Sequence, residues 1–386
     1  MALGTYYGRS TLGIASGRSA LGVRMGGNMR FIAYASSDRQ TVVLINEASG
    51  SLYRTISSAS VIEQVALINE THADDLELAG VMTWDNNLNL YVAYQVGDDH
   101  SGTVDAYLAK YTFTGALQWV AYAGIKSQLN KVQSVPAVFG DGAIIYAQKI
   151  ISRNGTTLAT ISTSTETLIS GNDLYETNAS ATTLNQYDVS SGYPPTFVDS
   201  ELFPDYAGNA GPLKIHANGW IAMPFYENSP VISGTWSAVA GFVMIKSDLS
   251  QTASTTVKSL SSSDPSQIFY RVIASAQPFE DGWIAGFDFG SSTRRMVYIN
   301  DTSNSETQGV TLGVPLINIS GDWTIENHTA YYVTNVGESW YIGKTLLTKT
   351  GSYQISSSTQ WQTQQTGSIP LMAADIDARI AVSPLV

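Results

Sequence analysis

The strongest constraint on this chain is a short unit that recurs about every fifty to sixty residues. Each unit has an apolar strand, a turn rich in Asp or Asn, and a second apolar or aromatic strand. The turns lie at Asp85-Asn86, Asp141-Gly142, Asn218-Gly219, Asp281-Gly282 and Glu326-Asn327, with weaker relatives at Gly27-Asn28 and Asp375–Asp377. Repetition at this period is typical of propellers and solenoids.

Residues 78–124 contain the unit in full. Four strands are predicted there, at Val81–Trp84, Asn89–Tyr94, Ala106–Tyr111 and Leu117–Tyr122, because β-branched and aromatic residues are concentrated in these runs. Turns rich in Asp, Asn, Thr and Gly separate the runs, as hairpin connections require. Four antiparallel strands within about forty-five residues correspond to one propeller blade.

The ends of the chain extend the prediction to a closed ring. The first strands, Phe31–Tyr34 and Thr41–Ile45, have no clear inner partner before them, and the last, Pro370–Ala373 and Arg379–Val382, have no outer partner after them. A ring closed by shared terminal strands supplies both partners and removes an exposed sheet edge. The sequence therefore predicts an all-β propeller of six or seven four-stranded blades over residues 28–386.

The blade count depends on a Ser- and Thr-rich stretch at about residues 155–210, which is either a decorated loop or a degenerate extra blade. The rival architectures are a β-helix and a string of β-sandwiches. A β-helix has shorter and stricter coils, and no Pro- or Gly-rich linker divides the middle of the chain.

Residues 1–27 differ from the rest because glycine is dense and the run Gly8–Gly13 is echoed at Gly17–Gly22. Glycine loses much conformational freedom on ordering, so this segment is not expected to fold alone. It is either a flexible terminus or an irregular docking arm that orders on a neighbouring subunit. In the arm interpretation, apolar anchors and cations bind the partner, and these residues are Tyr6, Tyr7, Arg9 and Arg18.

Composition limits the partners. The 386 residues carry a formal net charge of -12, so the body repels phosphate backbones and we expect no nucleic-acid binding. Only 13% of residues are charged, about half the usual share, so Ser, Thr, Asn and Gln must cover the surface. Cysteine is absent, which excludes disulfides and thiolate metal sites. We expect no signal peptide and no membrane insertion, because no suitable apolar run is found.

Familiar catalytic motifs are missing. The sequence has no Gly-x-Ser-x-Gly elbow, phosphate-binding loop, dinucleotide fingerprint or His-Glu-x-x-His pair. We therefore predict no enzyme, no catalytic residue, no metal and no cofactor. The histidines are far apart in sequence, although a propeller axis can bring separate blades together; they are His72, His100, His216 and His328.

Acidic and aromatic residues leave alternatives open. Most of the clustered carboxylates fit solvated turns; these clusters are Asp74-Asp75, Asp98-Asp99 and Asp375/Asp377. Calcium binding is an alternative around one Gly-containing loop, through Asp98, Asp99 and Asp105. Several tryptophans lie at or near the recurring turns. They either wedge neighbouring blades together or stack on sugar rings. The candidate glycan-binding residues are Trp220 and Trp283.

Residues 105–119 read Asp-Ala-Tyr-Leu-Ala-Lys-Tyr-Thr-Phe-Thr-Gly-Ala-Leu-Gln-Trp. This run resembles the outer hairpin of bacterial β-propeller repeat proteins, in which an Asp-aromatic-apolar-Ala-Lys-Tyr strand is followed by a Gly turn and Leu-x-Trp. The resemblance covers one blade hairpin and implies the fold, with no activity. Sialidase Asp-box, WD and kelch patterns are missing.

The whole chain is also similar in style to virion proteins of tailed bacteriophages, through its arm-like start, its lack of cysteine and its Ser/Thr/Asn/Gln-rich surface. This similarity implies a structural tail, fibre or adaptor component of the virion, assembled in the host cytoplasm. Its partners would be other virion proteins bound through the arm, in a homo-oligomer or in multiple copies of a symmetric assembly. The alternatives are a carbohydrate-binding propeller that recognises a host-surface glycan and a polysaccharide hydrolase.

Overall fold

A computed structural model of the chain describes residues 29–97, 103–127, 135–161, 167–177, 182–203, 209–210, 213–231, 235–262, 271–288, 294–299, 323–336, 339–351, 354–366, 372 and 380–384. The predicted arm at residues 1–27 lies outside the described residues. The weaker turn relatives Gly27-Asn28 and Asp375–Asp377 lie outside them too.

The first half of the described chain forms four antiparallel sheets, which we number as blades in chain order. Blade 1 contains β1 (Phe31–Ala35), β2 (Thr41–Asn46) and β3 (Leu52–Ser57). Blade 2 contains β4 (Leu76–Trp84), β5 (Asn89–Val96), β6 (Thr103–Thr112) and β7 (Leu117–Ser127). Blade 3 contains β8 (Ala137–Val138), β9 (Ile144–Tyr146), β10 (Lys149–Ile151) and β11 (Thr157–Thr160). Blade 4 contains β12 (Thr167–Ser170), β13 (Asp173–Thr177), β14 (Thr183–Asp188) and β15 (Thr196–Leu202).

The second half repeats the plan. Blade 5 contains β16 (Asn209–Ala210), β17 (Lys214–Ile215), β18 (Trp220–Val231), β19 (Thr235–Lys246) and β20 (Thr252–Ser262). Blade 6 contains β21 (Arg271–Phe279), β22 (Gly282–Asp288) and β23 (Arg294–Ile299). Blade 7 contains β24 (Trp323–Glu326), β25 (Thr329–Val336), β26 (Ser339–Gly351) and β27 (Gln354–Gln364).

The terminal strands close the ring, as predicted. The last strand, β28 (Ala381–Val382), pairs with β1 as Ala33 with Ala381 and Ile32 with Val382, and becomes the innermost strand of blade 1. Within the described residues, six sheets then have four or more strands and blade 6 has three. The propeller prediction is confirmed. The Ser/Thr-rich stretch forms the sheet of blade 4.

The core lies between neighbouring blades rather than within them. Ile32 and Tyr34 of β1 pack against blade 7, whereas Phe31 and Ala33 from the same strand pack against blade 2. Successive side chains of a strand point to opposite faces, so each sheet buries both of its faces against its two neighbours. This two-sided burial explains why β1 is apolar along its whole length instead of alternating with polar residues.

Two helices connect blades 1 and 2, and the sequence prediction did not include them. They are α1 (Ala59–Ile68) and α2 (Glu70–Ala73). Val61 and Val65, one helical turn apart, are fully buried in the core between blades 1 and 2. Neither helix of the described chain has the length and apolar character needed to span a bilayer.

The recurring turns join the first and second strands of blades 2, 3, 6 and 7, and in blade 5 the turn joins β17 to β18, as the repeat predicts. In blade 7 the connection is the two-residue loop Asn327-His328, with both residues at positive φ (46° and 63°). Two left-handed residues give the hairpin turn whose twist matches that of the strands. Because strand direction alternates within a blade, all of these turns lie on one face of the ring, which we call the turn face.

Candidate functional site

A cavity of about 380 Å³ lies at the propeller axis and opens among the recurring turns. We call it the axial cavity. Its walls come from the innermost strands, or the residues beside them, of blades 1, 2, 3, 5, 6 and 7. The polar residues that line it are Thr83, Asn86, Lys214, Gln277, Thr324 and Glu326.

Charged side chains join the ring closure to this cavity. Arg30, just before β1, forms a hydrogen-bonded ion pair with Glu326 at the end of β24. The Nε of Arg30 also donates to the carbonyl of Ser383, next to β28, at 3.0 Å. One guanidinium therefore connects blade 7 to the first and last described strands. Lys214 of blade 5 adds a second positive charge near Glu326.

The carboxyl of Glu326 faces the cavity, with 38% of its side-chain surface exposed. Burial raises the pKa of Glu326 above its ordinary value, and the positive charges of Arg30 and Lys214 oppose the shift without cancelling it. The carboxylate oxygens of Glu326 accept hydrogen bonds, so this side chain is suited to bind a hydroxylated ligand.

A second carboxylate nearby is held by the protein itself. Glu47 forms an ion pair with Lys344 at 2.8 Å and accepts a hydrogen bond from the hydroxyl of Tyr331. Burial tends to raise the pKa of Glu47, but the hydrogen bonds from Lys344 and Tyr331 lower it below its ordinary value. Glu47 is therefore a fixed anion that joins blade 1 to blade 7.

Two of the dispersed histidines contact one glutamate on the turn face. The Nε2 atom of His216 lies 2.9 Å from the backbone oxygen of Glu280, and the Nε2 of His328 lies 3.1 Å from its carboxylate. These contacts join the turns of blades 5, 6 and 7 in succession. Within the described part of the chain, no group of three or more His, Asp or Glu side chains is arranged to hold a metal ion.

The calcium alternative at Asp98, Asp99 and Asp105 falls partly outside the described residues, which include only Asp105. Asp105 accepts a hydrogen bond from the Tyr122 hydroxyl at 2.6 Å and lies 3.6 Å from Nε2 of His72. His72 in turn contacts the Tyr107 hydroxyl at 2.7 Å through Nδ1. This cluster connects α2 to blade 2.

The predicted glycan-binding tryptophans do not line the axial cavity. Trp283 is only 3% exposed and packs against His216 at a ring-centroid distance of 5.5 Å, as the packing interpretation expects. Trp220 is half-buried, with the ammonium of Lys246 4.7 Å from its ring centroid. Glycan binding at these two residues stays a prediction. The predicted arm residues Tyr6, Tyr7, Arg9 and Arg18 lie outside the described residues.

Sequence reasoning missed the residues that line the axial cavity. Lys214 and Gln277 occupy the same position relative to the turns Asn218-Gly219 and Asp281-Gly282, and Glu326 ends the corresponding strand of blade 7. The sequence therefore contained a signal for these cavity residues. Polar residues on an innermost strand, just before a recurring turn, should face the axis of a propeller.

No family model matches the chain, and no curated protein matches it. Solved structures do resemble it. The periplasmic gluconolactonase PpgL of Pseudomonas aeruginosa has a TM-score of 0.48 at 10% identity, over 94% of this chain and all of that one (100%). The apo form of AztD from Citrobacter koseri has a TM-score of 0.45 at 6% identity, over 94% and 99%. An ulvan lyase, described as a polysaccharide lyase, has a TM-score of 0.41 at 10% identity, over 74% and 83%.

These likenesses correct one prediction. The prediction that the chain is not an enzyme is contradicted, since the matched structures include a gluconolactonase and a polysaccharide lyase. Because one fold can host many unrelated activities, the absence of familiar catalytic motifs is no argument against an activity. The likenesses transfer no substrate to this chain, and none of the reported matches is described as a virion protein.

Proposed function

We propose that this propeller binds a carbohydrate in the axial cavity. The observation that carries the proposal is the convergence of polar side chains from several blades on one cavity at the axis. Its volume of about 380 Å³ falls in the range of small-molecule sites, about 300–1,000 Å³.

The chemistry of the lining favours a hydroxylated ligand. Asn86 and Gln277 supply amides, and Thr324 supplies a hydroxyl. Lys214 and Glu326 add one charge of each sign. Sugar hydroxyls both donate and accept hydrogen bonds, so they match such a mixed set of donors and acceptors better than an apolar ligand does.

The setting of the cavity supports binding without large rearrangement. The Arg30–Glu326 ion pair and the pairing of β28 with β1 fix the wall at the ring closure. Side chains held by several strands lose little freedom when a ligand enters, which favours affinity. Among the described lining residues Glu326 is the one carboxylate, so the two facing carboxylates of a glycoside hydrolase are not assembled there.

The test is a glycan array followed by calorimetric titration of the glycans that bind. The variant Thr324→Tyr fills the cavity, and we expect it to weaken binding by at least about tenfold, because the ligand loses its space. The matched control is Thr196→Tyr on the exposed strand β15, which should bind as wild type does.

Two results would overturn this proposal. One is a wild-type protein that retains no glycan. The other is a folded Thr324→Tyr protein, checked by circular dichroism, with wild-type affinity. If Trp220→Ala abolishes binding and Thr324→Tyr does not, the site lies at the tryptophan predicted from the sequence and the axial location is wrong.

The virion setting predicted from the sequence is a proposal about where the propeller works. It rests on the composition and on residues 1–27. In that setting the ligand would be a host-surface glycan and the arm would bind other virion proteins. Mass spectrometry of purified particles would measure the copy number, and deletion of residues 1–27 should prevent incorporation.

A further inference from the structure

A second cavity, of about 600 Å³, lies between blades 2 and 3 on the turn face. We call it the interblade cleft. Trp84 and Asn86 line both this cleft and the axial cavity. The two spaces are therefore neighbours that share these two residues.

Two cations line the cleft side by side. Lys110 comes from β6 of blade 2, and Arg153 comes from the turn between β10 and β11 of blade 3. The ammonium of Lys110 donates to the backbone carbonyl of Arg153 at 3.1 Å and lies 5.3 Å from the ring centroid of Tyr91. Within the described residues, the exposed guanidinium of Arg153 makes no ion pair or hydrogen bond.

The two carboxylates of the cleft already have donors. Asp85 is only 6% exposed, and one of its oxygens accepts the backbone N–H groups of Asn87 and Asn89, each at 2.8 Å. Its other oxygen accepts the side-chain amide of Asn89 at 2.7 Å and the hydroxyl of Tyr91 at 3.2 Å. These bonds build the recurring turn of blade 2, so Asp85 is committed to the fold.

Asp141 also has protein donors, although it is exposed. It accepts the backbone N–H of Ala143 at 2.9 Å, within its own turn, and the hydroxyl of Tyr193 from blade 4 at 3.1 Å. Among the described residues that line the cleft, the formal charges thus balance. Lys110 is half-buried and donates to a backbone carbonyl, while Asp141 and the guanidinium of Arg153 are exposed. An incoming anion would meet the guanidinium of Arg153, which holds no anion among the described residues.

The electrostatics of Lys110 agree with this geometry. Burial lowers the pKa of Lys110, Asp85 opposes the shift, and the positive charge of Arg153 adds to it. Two neighbouring cations disfavour each other, and a bound anion between them would relieve that repulsion.

We propose that the interblade cleft binds the anionic group of a longer glycan, whose neighbouring ring occupies the axial cavity. The ligand class is an oligosaccharide that carries carboxylate or sulfate groups. This inference rests on the proposed carbohydrate binding at the axis. It adds a second subsite and a charge preference that the overall charge of -12 would not suggest.

The decisive variant is Arg153→Gln. The bonds that Lys110 and Trp119 make to Arg153 go to its backbone carbonyl, so the substitution removes the guanidinium and keeps those contacts. A second variant, Lys110→Gln, removes the other charge. Its matched control is Lys246→Gln in blade 5, because Lys246 also donates to a backbone carbonyl (that of Asn218, 2.8 Å) and lies over an aromatic ring (that of Trp220).

An array of neutral, carboxylated and sulfated oligosaccharides, followed by titration, gives the readout. We expect wild type to prefer anionic glycans, and Arg153→Gln to weaken their binding by about ten- to hundredfold, as for the loss of a charge-assisted hydrogen bond. Binding of neutral glycans and the Lys246→Gln control should stay unchanged. Added salt should weaken anionic binding more in wild type than in Arg153→Gln. The carboxylated and sulfated arms identify which anion is recognised.

The outcomes separate this inference from the proposed function. If wild type binds neutral glycans and shows no gain for anionic ones, the inference is wrong and the axial site stands. If anionic glycans bind equally well to wild type, Arg153→Gln and Lys110→Gln, the inference is also wrong. If no glycan binds at all, the proposed function fails and the inference fails with it.

Discussion

Blades 2 and 4 share the four-stranded plan and differ in how they are covered. In blade 2, Leu108 and Ala109 on β6 are fully buried, and they pack against blade 3 and blade 1 respectively. In blade 4, the outer strand β15 is exposed along almost its whole length, and Phe197 and Leu202 are 56% and 65% exposed. The same sheet plan thus occurs with a rich apolar core and with a poor one.

The difference shows what holds a weak blade in place. Tyr175 of blade 4 packs against blade 5 and its hydroxyl donates to the carbonyl of Ser247 at 2.8 Å, while Leu174 packs against blade 3. Blade 4 also buries a carboxyl, that of Glu176 on β13, at 5% exposure. We infer that contacts with the neighbouring blades, more than its own sequence, position blade 4. We also infer that the buried carboxyl makes blade 4 less stable than blade 2.

The largest expected effect tests the packing of blade 2. Leu108→Ala removes a fully buried side chain from the core between blades 2 and 3, and we expect a loss of about 2–5 kcal/mol in the free energy of unfolding. Urea unfolding followed by tryptophan fluorescence measures it. The control Leu158→Ala, at a site 43% exposed in blade 3, should cost much less. Equal losses would contradict a core located between the blades.

The next effect tests the buried carboxyl of blade 4. Burial raises the pKa of Glu176 to about 7 from an ordinary value of 4.5. The folded state therefore binds the proton more tightly than the unfolded state, and the stability contributed by protonation is lost as pH rises from about 4.5 to 7. Glu176→Gln has no charge to bury, so we expect it to be more stable than wild type by about 3 kcal/mol at pH 8.

The pH dependence of the stability difference distinguishes an effect of the Glu176 charge from a stabilisation unrelated to that charge. At pH 5 the advantage of Glu176→Gln should shrink to under about 1 kcal/mol, because the wild-type carboxyl is then protonated in the folded state. Urea titrations at both pH values give the comparison, with Asp199→Asn on exposed β15 as the control. An advantage that does not change with pH would show that the charge of Glu176 is not the cause.

The smallest effect tests the exposed strand. Phe197→Ser replaces a side chain that is 56% exposed and contacts the ring of Tyr187 at a centroid distance of 5.6 Å, so the free energy of unfolding should fall by no more than about 1 kcal/mol. Thermal unfolding of wild type and variant at the same concentration measures it. A loss above about 1 kcal/mol would mean that blade 4 depends on its outer strand, and the contrast with blade 2 would weaken.

The repeat predicted the blades because strands and turns are specified by residues that are close together in the sequence. A turn such as Asn327-His328 needs residues that tolerate positive φ, and the apolar runs on each side need partners, so both can be read from neighbouring residues. Helix α1 was missed because its pattern is weak: Val61 and Val65 are buried, but the apolar residues Leu67 and Ile68 are 82% and 50% exposed and hide the helical period.

The sequence by itself determined the strands, the turns between them and the closure of the ring, because each depends on backbone conformation and on two-sided burial within short stretches of chain. Only the tertiary structure decided which side chains meet. Arg30, Lys214 and Glu326 gather at the axis from three blades, and Lys110 and Arg153 meet across two. The positions of Lys214 and Glu326 beside recurring turns place each of them on an inner strand, but the blades differ in length, so sequence spacing does not encode which side chains meet. The radial order of the sheets does, and it forms only when all of them pack together.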